Sequence, residues 1–146
     1  MGPKALQVIN REQCIGCFSC MHACSRMLRG LGGTSKAAMR ILAYTGTEGA
    51  FSIRVCLRCA EPDCAAACPT GALKVAPGGG VRLDKNLCTS CGNCVTACTI
   101  AALQWDGEEG MPLPCIHCGQ CVRYCPNNVI ALVEKNPGRE ENPNAG

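Results

Sequence analysis

Sixteen cysteines, arranged in four groups of four with none left over, constrain this 146-residue chain more than any other feature. Group one is Cys14, Cys17, Cys20 and Cys24 in "CIGCFSCMHAC"; group two is Cys56, Cys59, Cys64 and Cys68 in "CLRCAEPDCAAACP". Group three is Cys88, Cys91, Cys94 and Cys98 in "CTSCGNCVTAC"; group four is Cys115, Cys118, Cys121 and Cys125 in "CIHCGQCVRYCP". Three groups share the spacing C-x2-C-x2-C-x3-C, and group two widens its middle gap to four residues. Such density in a short secreted chain would suggest a disulfide scaffold. The start "MGPKALQVINREQC" has no basic segment leading into an apolar stretch and no twin arginine, and no later run is long enough to span a bilayer. A cytoplasmic chain without a membrane span is therefore expected, and there cysteines hold metal more often than disulfides. Only 5 aromatic residues stand beside 17 glycines, so a side-chain core would be thin and something else must fill the middle.

The spacing has a chemical meaning. Three thiolates on a tight loop can grip three corners of a 4Fe-4S cube, while the fourth, a helical turn further on, points to a second cube. Pro69 and Pro126 directly follow the fourth cysteines of groups two and four. Proline ends a short helix and turns the chain into an extended segment, as a crossing between two clusters needs. Structural zinc would use four ligands around one tetrahedral ion and would leave each quartet too crowded. Disulfides over such short spacings would be strained or would brace nothing. A catalytic thiol would have to stand apart from the quartets beside a base, and none does.

From Leu6 to about Val133 the chain resembles the four-cluster, ferredoxin-like electron-transfer subunits of tungsten and molybdenum oxidoreductases. The stretch "CLRCAEPDCAAACPTGAL", with Pro62 in its wide gap, carries the likeness most closely. Ser25 and Thr99 depart from it, standing where many such proteins have proline. The chain is thus expected to continue helically after Cys24 through "SRMLRGL". The resemblance implies an α+β fold: two ferredoxin-like two-cluster units in one small domain, with short strands, short helices and a core filled by four 4Fe-4S clusters.

A repeat supports two units. Ala72-Leu73, Ala102-Leu103 and Val129-Ile130 follow the fourth cysteines of groups two, three and four at similar offsets and read as strands leaving a site. Ile9-Asn10 and Leu83-Asp84 precede groups one and three as strands arriving. "PTGALKVAPGGGVRLDKNL" signals a hairpin around Pro77-Gly78-Gly79-Gly80, which makes groups two and three one ferredoxin-like unit. Pairing of Leu6–Ile9 with Val129–Val133 would make groups one and four the other. The domain then covers 1–133, with residues 1–30 and 111–133 nested around residues 50–106, and 134–146 form a polar tail. Sequential pairing of one with two and three with four is the alternative; "GEEGMPLP", with two prolines, offers it no return strand. Residues between Cys24 and Cys56 are an insertion: the helix, a glycine-marked turn, then "AMRILAY" and "FSIRV" as strands.

Nested units imply four ligand sets: Cys14, Cys17, Cys20 with Cys125; Cys115, Cys118, Cys121 with Cys24; Cys56, Cys59, Cys64 with Cys98; and Cys88, Cys91, Cys94 with Cys68. Sixteen thiolates and four oxidised cubes of about 2+ each take the formal charge from +3 to about −5. Nucleic-acid binding then has no electrostatic motive. Arg26, Arg29, Lys36, Arg40, Arg54 and Arg58 either offset cluster charge, meet an acidic partner or form an ordinary solvated surface. His117 and His22 are surface residues or donors to cluster sulfur; Trp105 and Tyr124 pack near clusters; Met21, Met27 and Met39 fill core or interface.

No phosphate loop, dinucleotide-binding motif or isolated acid–base pair is present, so the chain is expected to move electrons without catalysing a reaction. The resemblance implies the small iron–sulfur subunit of a tungsten aldehyde oxidoreductase. Its partner would be a large tungsten- or molybdenum-pterin subunit, and its outlet a flavin or NAD subunit, a ferredoxin or a further copy of itself. Brevity favours that family over the longer relay subunits of the dimethyl sulfoxide reductase, formate dehydrogenase and hydrogenlyase families. The alternatives are a relay of a molybdenum enzyme, formate dehydrogenase or hydrogenase, and a free polyferredoxin.

Overall fold

The computed structural model describes residues 4–30, 32–43 and 51–134. Within them the order is β1 (Lys4–Val8), α1 (Ser19–Arg29), β2 (Arg40–Ala43), β3 (Phe51–Arg54), α2 (Asp63–Ala66), β4 (Leu73–Val75), β5 (Val81–Leu83), α3 (Asn93–Ala97), β6 (Gln104–Asp106), β7 (Met111–Leu113), α4 (Gln120–Tyr124) and β8 (Ile130–Glu134). A single 3-10 turn, Arg11–Gln13, leads into Cys14.

The strands form four antiparallel two-stranded ribbons: β1 with β8, β2 with β3, β4 with β5, and β6 with β7. Two segments more than 120 residues apart meet in the first ribbon, with Lys4 opposite Glu134 and Val8 opposite Ile130. Their apolar side chains specify this register, because Leu6, Val8, Val129 and Ile130 are all buried. Beyond the ladder, the Ile9 and Asn10 amides both donate to the Val129 carbonyl, at 2.8 and 3.2 Å. The expected hairpin is β4–β5, with Leu73 opposite Leu83.

Two features differ from the sequence expectations, and one set of strand pairings they left open is now given. "GEEGMPLP" does contain a return strand: β7 pairs with β6, and Pro112 lies opposite Trp105. In a two-stranded ribbon one side of each strand has no ladder, so a proline there breaks nothing. The strands beside the inner cysteine groups, β3 and β6, pair outward with β2 and β7. Glu134 ends β8 instead of opening a tail. The rest of the tail, Leu31 of "SRMLRGL" and Tyr44 of "AMRILAY" lie outside the described residues.

Three helices are only four or five residues long, and each stops at or just before the fourth cysteine of its group. Cys125, before Pro126, is extended with ψ 116°. Cys98 is equally extended with ψ 110° although Thr99 follows it, so proline is not required for the exit. Helix α1 runs on to Arg29, where Gly30 at φ +68° closes it by donating to the Arg26 carbonyl at 2.8 Å. Ser25, fully buried in mid-helix, occupies the position where a proline would have turned the chain.

No described aromatic side chain is buried. One apolar cluster joins Leu6, Val8, Met21, Met39, Ile41, Ile53, Val55, Val129 and Ile130, with cysteines of groups one and four packed on it. A smaller one joins Leu73, Val81 and Leu103 with Cys64, Cys68, Cys94 and Cys98. Tyr124, expected to pack, is 60% exposed.

Candidate metal centres

Each cysteine loop is shaped by one backbone rule. The second residue between the first two cysteines lies in the left-handed region in every group: Gly16 (φ +68°), Arg58 (+56°), Ser90 (+60°) and His117 (+55°). This reversal folds the loop inward, and the His117 amide donates to Cys115 Sγ at 3.3 Å. A second left-handed residue precedes the helix in groups one, three and four, at Phe18, Gly92 and Gly119. Group two, with its wide gap, begins its helix instead after Pro62 at φ −73°. Gly16 is the most constrained of these positions, since a Cβ there would enter the Phe51 ring. Gly16→Ala is expected to cost at least ~1–2 kcal/mol of backbone strain, measured as a fall in thermal stability.

The fourth cysteine of every group accepts a backbone N–H. Leu73 donates to Cys68 at 3.5 Å, Ala102 to Cys98 at 3.3 Å and Val129 to Cys125 at 3.3 Å, each from four or five residues downstream. Cys24 is served from fourteen residues away, by Ala38 at 3.2 Å. Hydrogen bonds of this kind favour the thiolate.

The thiols gather across groups. Cys14, Cys17, Cys20 and Cys125 line one cavity of about 380 Å³, walled by Met39, Ile41, Ile53 and Ile130. Cys24, Cys115, Cys118 and Cys121 line a second of about 330 Å³ with Leu6, Leu28 and Met39. Cys68, Cys88, Cys91 and Cys94 line a third of about 300 Å³ beside Trp105 and Pro112. Burial, reinforced by Cys56, Cys98 and Cys59, pushes the Cys64 thiol up to about 12. Burial likewise pushes Cys20 and Cys121 up to about 12 and Cys115 upward. Cys68 moves the other way, held down first by the Leu73 amide.

Thiols of different sets also act on one another electrostatically. Cys20 acts on Cys121, and Cys56 on Cys115. Helices α1 and α4 pack together, as do α2 and α3. Each carries the third cysteine of its group near its start and leads to the fourth, four residues on and about 6 Å along a helix axis.

The donor chemistry suits iron–sulfur clusters. Thiolates are the ligands such clusters take, apolar side chains line the thiol sets, and backbone amides point at the fourth sulfur of each group. Among the described residues no three Cys, His, Asp or Glu side chains converge closely enough for a single metal ion.

Other expected participants separate. His22 is exposed, whereas His117 is partly buried and its Nδ1 accepts from the Leu6 amide at 3.3 Å. Met21 and Met39 are core residues and Met27 is 51% exposed. Arg29 and Lys36 meet carboxylates of this same chain, and the Arg58 guanidinium donates to the Lys4 carbonyl at 2.9 Å. In the sequence, Leu73, Ala102 and Val129 mark strand starts and Arg58 and His117 take other roles; the amide donation by the three strand residues and by Ala38, and the left-handed backbone at the loops, were missed. The left-handed residues share a fixed offset from the first cysteine, but the amide donors do not, lying four, five or fourteen residues past the fourth.

Residues 87–130 match the 4Fe-4S dicluster domain family. That stretch spans groups three and four, whose cysteines fall in different thiol sets here. The thiosulfate reductase electron transfer subunit of Salmonella typhi is 30% identical over 83% of this chain and 71% of its own length. The chain belongs to the family of iron–sulfur electron-transfer subunits. A component of the anaerobic dimethyl sulfoxide reductase of Haemophilus influenzae is 33% identical over 79% of this chain and 66% of its own length. The beta subunit of an NADH-dependent phenylglyoxylate dehydrogenase from Aromatoleum evansii is 32% identical over 81% of this chain. The chain spans only 28% of that relative's length. Its sixteen cysteines fit several 4Fe-4S clusters. Among the described residues no helix is long and apolar enough to cross a membrane.

Proposed function

We propose that this chain is a four-cluster relay subunit, carrying electrons between a pterin-bearing molybdenum or tungsten catalytic subunit and an outgoing acceptor. The observation that carries it is the crossing of thiols between groups. Each of three cavities is lined by the first three cysteines of one group and the fourth of another, and the same pattern is extended to Cys56, Cys59, Cys64 and Cys98. The residues that would hold the clusters are Cys14, Cys17, Cys20 and Cys125; Cys24, Cys115, Cys118 and Cys121; Cys56, Cys59, Cys64 and Cys98; and Cys68, Cys88, Cys91 and Cys94. Such groups, when bound, supply one-electron redox capacity.

The chain's own residues set the order. Helices α1 and α4 join the first two sets and α2 and α3 the third and fourth, and the raising of the Cys115 thiol by Cys56 supports setting the second set beside the third. This is a line with two ends and two ferredoxin-like units, residues 1–30 with 111–133 and residues 50–106. One end lies beside Ile15 and Phe18, the other beside Thr89 and Trp105. A line of four centres suits passage across a subunit better than a diffusing carrier, which needs one exposed centre.

The more specific form of the proposal is a tungsten-pterin partner that oxidises aldehydes. The stretch "CLRCAEPDCAAACPTGAL" supports it. The reductase relatives support the molybdenum form equally. Copurification from the native host, metal analysis and an aldehyde-dependent dye assay separate them. Tungsten and aldehyde oxidation in the complex, with none by the isolated chain, is expected. Isolated chain that oxidised aldehydes unaided would overturn the relay assignment, and molybdenum without tungsten would move the partner to the reductase class.

A further inference from the structure

We propose that Lys36 and Asp106 form a positioning pair that holds the Ala38 amide on Cys24 and thereby raises the potential of the one cluster held by Cys24, Cys115, Cys118 and Cys121. The inference rests on the relay reading above. It starts from an asymmetry among the four groups. In groups two, three and four the amide reaching the fourth sulfur is built into the turn that follows it. In group one α1 continues past Cys24 to Arg29, and the chain comes back only at Ala38. An amide delivered by so long a loop needs an anchor outside its own turn.

The anchor is buried and charged. Lys36, Ala37, Ala38 and Met39 are all buried, at 7, 0, 1 and 1% exposure. Lys36 Nζ donates to Asp106 Oδ1 and lies 3.1 Å from Glu108 Oε2. Asp106, 1% exposed, sits at the end of β6 and is fixed by its own turn, accepting the Glu108 and Glu109 amides at 3.0 and 3.2 Å. Arg29, at the end of α1, closes the arrangement, 3.3 Å from Glu109 Oε2 and 4.0 Å from Asp106 Oδ2. Arg40 ties the loop's other side, donating to Gln104 Oε1 and the Thr34 carbonyl, both at 3.3 Å. The loop that serves Cys24 is thus clamped to the β6–β7 ribbon some seventy residues away. Lys36 holds the Asp106 carboxyl below the usual carboxylate range, and Asp106 holds the Lys36 ammonium above its own.

Two effects of breaking this pair have opposite signs. Asp106→Asn removes a negative charge, which by Coulomb's law alone makes every nearby cluster easier to reduce. If the pair positions the Ala38 amide, the same change frees the loop, takes an N–H from Cys24 Sγ and makes one cluster harder to reduce. Lys36→Arg keeps the charge and alters only reach and geometry, so it should act in the same direction.

The test is a redox titration followed by electron paramagnetic resonance on the loaded full chain, with hydrogen exchange measured over residues 32–40. For both variants one cluster of four should become about tenfold harder to reduce, about 59 mV for a one-electron couple, and exchange over 32–40 should quicken. Loss of that one cluster with three retained would be the stronger form of the same result. A rise in potential, no shift, or loss of all four clusters together would overturn the inference while leaving the relay standing. Wild-type chain that carried no iron would overturn both.

Discussion

Cys24→Ala and Cys115→Ala are each expected to destroy or degrade one cluster of four, and the double variant no more than either alone. The two residues come from different groups, 91 positions apart, yet line the same cavity. Changes at one shared site do not add, whereas changes at independent sites do. Combining Cys24→Ala with Cys14→Ala should therefore cost two clusters, although both residues belong to group one, because Cys14 lines the cavity that holds Cys125. Iron content and paramagnetic resonance of the four variants decide the matter. If each group held its own cluster the pattern would invert: the first pair would cost two clusters and the second pair one. Electron transfer should be abolished in all of them, since a line of centres fails wherever one is missing.

The second large effect is on folding. Removal of iron under reducing conditions is expected to abolish cooperative thermal unfolding. The larger apolar cluster is continuous with Cys14, Cys20, Cys24, Cys115 and Cys125, and the smaller one has only four buried members, one of them Cys94. The helices between are too short to persist alone. With the centres gone, eight thiols or more line open cavities, and the remaining burial cannot offset the conformational entropy of the chain. Calorimetry on iron-free protein checks this; a sharp transition with a full unfolding enthalpy would show that the side chains suffice.

What was legible in the sequence was whatever repeats. Cysteine spacing marks loop and helical turn together, so the quartets, the short helices and the β4–β5 hairpin could all be placed from local pattern. The β1–β8 ribbon followed from setting Leu6–Ile9, which opens the domain, beside Val129–Val133, which closes it. Features that depend on what lies opposite were not legible. Pro112 looked like a strand breaker until its partner strand proved to be Trp105's, with an open edge beyond. Ser25 was visible as a missing proline, but not that the amide for Cys24 would then come from Ala38. Lys36 looked like one more basic residue offsetting cluster charge, and only the fold brings Asp106 to it. The left-handed residues share no side-chain type, since Gly16, Arg58, Ser90 and His117 have only their offset in common.

Anaerobic iron, sulfide and zinc analysis of the purified chain tests the central claim most directly. Four clusters of four irons in the sixteen-cysteine frame predict about sixteen iron and about sixteen acid-labile sulfide per chain, with negligible zinc. Zinc bound in place of iron, with little sulfide, would contradict it.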